Sequence, residues 1–88
     1  MKGAGRNLMR ILVKYFASYR EAVGKYDEEF ELAPGSTVKE VIEEIVAKHP
    51  GIELDREAIL VLNQRVVKAD SEVKDGDVLA VFPPLGGG

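Results

Sequence analysis

Few residues of this 88-residue sequence have chemistry to offer. With no cysteine present, disulfides, thiolate metal sites, persulfides and a cysteine nucleophile are all excluded. The single histidine, His49, stands before Pro50-Gly51 at the end of a helical pattern. There a capping role is the ordinary one and the helix dipole favours a cation. One histidine without a cysteine gives no support to a metal site or to catalysis by the chain alone. The acids crowd at Asp27, Glu28, Glu29 and Glu31, which reads as a solvated strand face, with steering of a partner as the other use. What remains is the stretch Pro83-Pro84-Leu85-Gly86-Gly87-Gly88, whose terminal carboxylate is the reactive group to be expected. Two prolines hold φ at about −65° and remove backbone donors, so the chain would leave a preceding strand stiffly. Glycines lack Cβ atoms and can thread a narrow slot, bringing a backbone close to a nucleotide or metal. Fully extended, the stretch reaches roughly 20 Å at about 3.3 Å per residue. A frayed terminus has the same glycine content. The order of parts argues for a tool instead: apolar strand, rigid spacer, one apolar anchor at Leu85, then glycine.

Such a tail needs a stiff base. Residues 78–82 are apolar and β-prone, and Asp75-Gly76-Asp77 before them is a strong turn signal. Residues 10–16 alternate, with Ile11, Val13 and Tyr15 on one face and Leu12, Lys14 and Phe16 on the other, so a first strand is expected there. Residues 17–23 suit a turn or two of helix closed by Gly24. Residues 26–32 resume the period of two, with Glu28, Phe30 and Leu32 opposite Asp27, Glu29 and Glu31. After Ala33-Pro34-Gly35, Thr37 and Glu40 form a capping box that opens a helix. Val38, Val41, Ile42, Ile45 and Val46 make its apolar stripe, and Glu44 and Lys48 have the favourable i,i+4 orientation. The apolar run at residues 58–62 predicts a buried central strand. Asn63-Gln64 would turn the chain into a short edge strand at residues 65–67.

The order β-β-α-β-β-β places one amphipathic helix across one face of a mixed sheet, an α+β two-layer arrangement. The chain divides into a loose leader at residues 1–8, a domain at 9–82 and an extended tail at 83–88. A net charge of −3, from 12 Lys and Arg against 15 Asp and Glu, lacks the basic stripe that nucleic acid demands. With 45% hydrophobic and 31% charged residues the composition is that of a globular domain. No apolar run approaches the ~20 residues of a membrane span, and no signal-peptide pattern opens the sequence, so neither membrane nor nucleic acid is an expected partner and a cytoplasmic location is expected.

Three stretches carry a family resemblance: Tyr15-Phe16-Ala17-Ser18-Tyr19-Arg20-Glu21, Val61-Leu62-Asn63-Gln64, and Asp75-Gly76-Asp77-Val78 running into Val81-Phe82-Pro83-Pro84-Leu85-Gly86-Gly87-Gly88. In these the sequence resembles the MoaD/ThiS family of ubiquitin-like sulfur carriers, and more specifically the MoaD-type small subunits of molybdopterin synthase, over residues 9–88. Gly86 fills the family's variable position between the aliphatic residue and the closing Gly-Gly. The resemblance implies a ubiquitin-like β-grasp with a sheet of four to five strands. It also implies that the Gly88 carboxylate is adenylated by a MoeB-type adenylyltransferase, which uses the ATP, and converted to a thiocarboxylate with sulfur from a donor protein. The sulfur would then reach a precursor pterin in a MoaE-type large subunit, for a molybdenum or tungsten cofactor. The domain would bind no cofactor of its own and would be no enzyme alone.

Under the resemblance Gly88 and Gly87 are the functional terminus, while Phe16, Phe82, Pro83, Pro84, Leu85, Gly86 and Arg20 meet partners on the sheet face away from the helix. Alternation alone also allows Phe16 and Phe82 to be core residues, and Arg20 could pair with an acidic partner or be a plain surface arginine. Three further functions suit the same sequence: a ubiquitin-like modifier joined through Gly88 to lysines, a sulfur carrier of the thiamine pathway, whose tails usually lack Pro-Pro, and an interaction domain with an inert tail.

Overall fold

The alternation near the N-terminus is realised as strand β1, Met9–Tyr15, which sends Met9, Ile11, Val13 and Tyr15 into the core. The computed structural model describes residues 7–54 and 56–84. Helix α1 follows at Ala17–Val23, then β2 at Asp27–Leu32, α2 at Val38–Lys48, β3 at Ile59–Leu62, β4 at Arg65–Val67 and β5 at Val78–Phe82. The strands form one five-stranded sheet in the order β2-β1-β5-β3-β4. β1 and β5 run parallel, and the other neighbours are antiparallel. Helix α1 is therefore a second helical element that the β-β-α-β-β-β order omits.

One face of the sheet is covered by α2. Val38, Val41 and Ile45 of the expected stripe are fully buried against Ile11, Val13, Leu79 and Val81. Ile42 is partly buried, while Val46 lies at the rim of the stripe and is exposed. The expected capping box is present, with the Thr37 N–H donating to Glu40 Oε1 at 2.7 Å. Two further orphan donors of the first turn, the N–H groups of Val38 and Lys39, bond to the carbonyls of Ser71 and Ala69, each at 2.8 Å. The loop before β5 thereby pins the start of the helix.

The central strand is β5, not β3. The run at residues 58–62 forms an inner strand between β5 and β4, but only Leu60 of β3 is buried. An apolar run predicts burial on both faces, yet the helices cover only one here. The Asp75-Gly76-Asp77 turn is the hub that fixes β5 at its start. Gly76 takes φ 87°, a left-handed conformation that glycine adopts without strain. The Arg10 N–H donates to Asp75 Oδ1 at 2.8 Å and the Leu12 N–H to the Asp77 carbonyl at 3.0 Å, so β1 is registered on the turn. Asn63 Nδ2 donates to Asp77 Oδ1 and the Val78 N–H to Asn63 Oδ1, both at 2.9 Å, which registers the β3-β4 hairpin on the same turn. That hairpin closes with Asn63 at φ 51° and Gln64 at φ 72°, the two positive angles of a type I′ turn.

Candidate functional site

Phe82 ends β5, and its position follows from the strand's alternation. Leu79 and Val81 enter the core, so Val78, Ala80 and Phe82 face the side of the sheet away from α2. Phe16 follows β1 in extended conformation, φ −131° and ψ 152°, directly after the buried Tyr15. It reaches the same open face. The two rings stack with centroids 4.2 Å apart and planes 14° from parallel. Both are half-buried, as are Pro83 and Pro84 immediately beyond them. Of the two placements that alternation allowed for Phe16 and Phe82, the core is therefore not the one adopted.

Arg20 sits one helical turn after Phe16. Its guanidinium carbon lies 5.2 Å from the centroid of Phe16 and 4.1 Å from that of Tyr26, and its Nε donates to the Tyr15 carbonyl at 3.1 Å. The structure thus brings together Phe16, Arg20, Phe82, Pro83 and Pro84 at the root of the tail. Leu85, Gly86, Gly87 and Gly88 lie outside the described residues. Tyr26 joins the cluster without having been singled out by the sequence. The available signal was its place just before β2, opposite the end of β1.

Farther along the open face is a shallow depression lined by Lys14, Val61, Asn63, Gln64, Val78 and Ala80. Among the described residues no group of three or more His, Asp or Glu side chains could hold a metal ion.

The helix-covered side holds a charged cluster that the sequence reading misjudged. Glu28 belongs to the acidic run read as a solvated face, yet only 4% of its side chain is exposed. Its Oε1 accepts from the Tyr15 hydroxyl at 2.8 Å and meets His49 Nε2 at 2.5 Å, while its Oε2 pairs with Lys48 Nζ at 2.8 Å and Lys25 Nζ at 3.4 Å. Lys48 therefore pairs across to β2 rather than with Glu44. The signal was present in the alternation, since Glu28 is in phase with Phe30 and Leu32. An acid on an inward position requires internal partners, and β1, α2 and the α1-β2 connection supply them.

Burial alone would raise the Glu28 pKa. Hydrogen bonds from Lys48, His49 and Tyr15, with the charge of His49, outweigh it and hold the carboxyl at about 2. Burial first, then the hydrogen bond to Glu28 and its negative charge, push the Tyr15 phenol well above the ordinary tyrosine range. With its lone pairs taken, Glu28 is a structural anion and no general base. His49 does cap α2, its N–H donating to the Ile45 carbonyl, and it adds the ring contact to Glu28.

Against known proteins, the ThiS family model matches residues 13–88. The molybdopterin synthase sulfur carrier subunit of Chlamydomonas reinhardtii is 37% identical over 83 residues, covering 91% of this chain and 100% of that protein. Small archaeal modifier protein 3 of Haloferax volcanii is 29% identical over 92 residues, covering 91% and 100%. Among solved structures, one from Pyrococcus furiosus assigned as molybdopterin converting factor subunit 1 has a TM-score of 0.76 at 40% identity, covering 88% of this chain and 99% of that one. A chain in the complex of subunits 1 and 2 of molybdopterin-converting factor from Helicobacter pylori has a TM-score of 0.59 at 26% identity, covering 91% and 100%. Among the described residues no helix is long and apolar enough to cross a membrane.

Proposed function

The chain belongs to the ThiS family, and from that premise we propose that it is the sulfur-carrying small subunit of a molybdopterin synthase. The observation that carries the reading is the Phe16-Phe82 stack, half-exposed on the open face at the base of Pro83-Pro84. A partner closing over this apolar root would hold the carrier by its body while the glycines thread a channel. Ordering three glycines costs roughly 1–2 kcal/mol of backbone entropy per residue, and contacts of the body must offset it.

The chemistry belongs to Gly88. A carboxylate is a poor electrophile because oxide is a poor leaving group. Attack of its oxygen on the α-phosphorus of ATP, in a MoeB-type adenylyltransferase, expels pyrophosphate and leaves an acyl adenylate. Sulfur at the sulfide level, from a donor protein, then attacks the carbonyl carbon and AMP departs. The resulting thiocarboxylate carries a soft anionic sulfur that is a good nucleophile near neutral pH. It would attack a precursor pterin inside a MoaE-type large subunit, a partner class supported by the Helicobacter pylori complex. The carrier's own residues supply neither acid nor base. They present the tail, in a cytoplasmic setting where all three partners meet.

Reconstitution tests this. Thiocarboxylated carrier with the large synthase subunit should convert precursor pterin to molybdopterin, and a carrier lacking Gly87 and Gly88 should give none while unfolding at the same temperature. Full conversion by the truncated carrier would defeat the proposal. The likeness to small archaeal modifier protein 3 favours a second reading, transfer of the Gly88 acyl group to lysines of other proteins. Lys74 is the last basic residue, so tryptic digests of cell extract would then contain lysines bearing the peptide that begins at Asp75.

A further inference from the structure

Tyr26, Arg20, Phe16 and Phe82 form one continuous stack of aromatic, cation, aromatic and aromatic groups. The successive separations are 4.1 Å from the Tyr26 centroid to the guanidinium carbon, 5.2 Å from there to Phe16, and 4.2 Å between the two phenylalanines. Tyr26 is 70% exposed, and the Arg20 guanidinium lies over its ring. Among the described residues no carboxylate pairs with Arg20. Its Nε is instead tied to the Tyr15 carbonyl at 3.1 Å, which fixes the group against backbone whose own side chain is anchored in the core at Glu28. Tyr26 is tied to the same strand end, its carbonyl accepting from the Tyr15 N–H at 2.8 Å. A planar guanidinium with one edge held can present its face to a ring on either side, which an ammonium cannot do.

The geometry points to Arg20 and Tyr26 as positioning residues for the docking of the tail root. They clamp Phe16, and through it Phe82, in the free carrier, so that the chain leaves β5 at Pro83 in one direction. This rests on the sulfur-carrier reading and gives Arg20 a role other than pairing with an acid. A side chain already ordered before docking spares the complex the cost of ordering it. A partner that closes on Phe82 therefore binds the clamped form more tightly. Breaking either cation–π contact should weaken docking by about 3–10-fold, the range such contacts carry at partly exposed sites.

The test is binding of full-length carrier variants to the large synthase subunit of the same organism, by calorimetry, beside their unfolding temperatures. Arg20→Lys keeps the charge and loses the plane, and Tyr26→Ala removes the outer ring. Each should weaken binding by about 3–10-fold while the domain stays folded, its unfolding temperature falling by no more than about 8 °C. Tyr26→Phe should restore wild-type affinity, and Arg20→Lys combined with Tyr26→Ala should be no weaker than the worse single variant. The KM of the adenylyltransferase for the carrier should rise in the same variants while kcat holds. If Arg20→Lys binds as tightly as wild type and only Arg20→Met is weak, charge is what matters and the clamp is overturned. Wild-type affinity in Arg20→Lys and Tyr26→Ala together overturns it as well. If the wild-type carrier fails to bind the large subunit, the functional reading fails first and the clamp with it.

Discussion

The two faces of this sheet are built on opposite terms. Toward α2, the side chains of Ile11, Val13, Val38, Val41, Ile45, Leu79 and Val81 are fully buried, and the buried carboxylate of Glu28 is matched by donors from three segments. Among the described residues no buried side-chain polar atom lacks a hydrogen-bond partner. On the open face Phe16 and Phe82 find each other but stay half-exposed, and Val66 of the edge strand is 76% exposed. Alternation divides each strand between these fates, so β5 anchors the fold with Leu79 and Val81 and turns Phe82 to the open face. The proposed function adds a separation of duties: stability resides under the helix, and recognition is assigned to the other side. Substitutions can therefore be sorted by which quantity they move.

The largest effect on stability is expected beneath α2. Ile45→Ala should destabilise by about 3 kcal/mol, the lost transfer energy plus a cavity, with partner affinity unchanged in the fraction still folded. Denaturant titration beside a binding isotherm checks both halves. A smaller loss, about 2 kcal/mol at neutral pH, is expected for Glu28→Gln, because the half-exposed Lys25 and Lys48 can return to water while Tyr15 and His49 lose a charged acceptor.

That difference should depend on pH in a defined sense. The folded pKa of Glu28, about 2, lies below the ordinary 4.5, so its contribution is complete above about pH 4.5 and disappears as pH falls through about 2. Wild type and Glu28→Gln should therefore converge in stability across that window. Divergence on acidification would show that the cluster is not what sets the shift.

On the open face the order of effects reverses. Phe82→Ala should weaken binding to the large synthase subunit by about thirtyfold, as expected of a central aromatic anchor, while costing about 1 kcal/mol or less in stability. A variant that unfolded instead of failing to bind would erase the contrast between the faces. The smallest effect is expected at Val66→Thr, within about 0.5 kcal/mol in stability. Its effect on affinity would mark how far along β4 the docking surface extends.

Local rules made most of the fold legible. The capping box at Thr37 and Glu40, the turn at Asp75-Gly76-Asp77 and the period-two strands rest on interactions between near neighbours, and each is formed. What was not legible depended on distant partners. The run at residues 58–62 could not reveal that a face would stay uncovered, so its expected burial is met only at Leu60. Lys48 was placed four residues from Glu44, but Glu28 lies nearer in space. Glu28 itself was counted with its acidic neighbours rather than with Phe30 and Leu32, whose phase it shares. Phe16 and Phe82, separated by most of the chain, carried no sign of their stacking beyond being aromatic at strand ends. The parallel β1-β5 pair that brings them together is a long-range contact.

The central claim is that the C-terminal glycine is the working end of this chain and the sheet its handle. Intact-mass spectrometry tests it most directly, on carrier incubated with its adenylyltransferase, ATP and a sulfur donor. The account predicts a single mass increase equal to the replacement of one oxygen by sulfur, lost when Gly87 and Gly88 are deleted and unaffected by Val66→Thr. An unchanged mass under conditions in which the adenylyltransferase consumes ATP on a known carrier would contradict it.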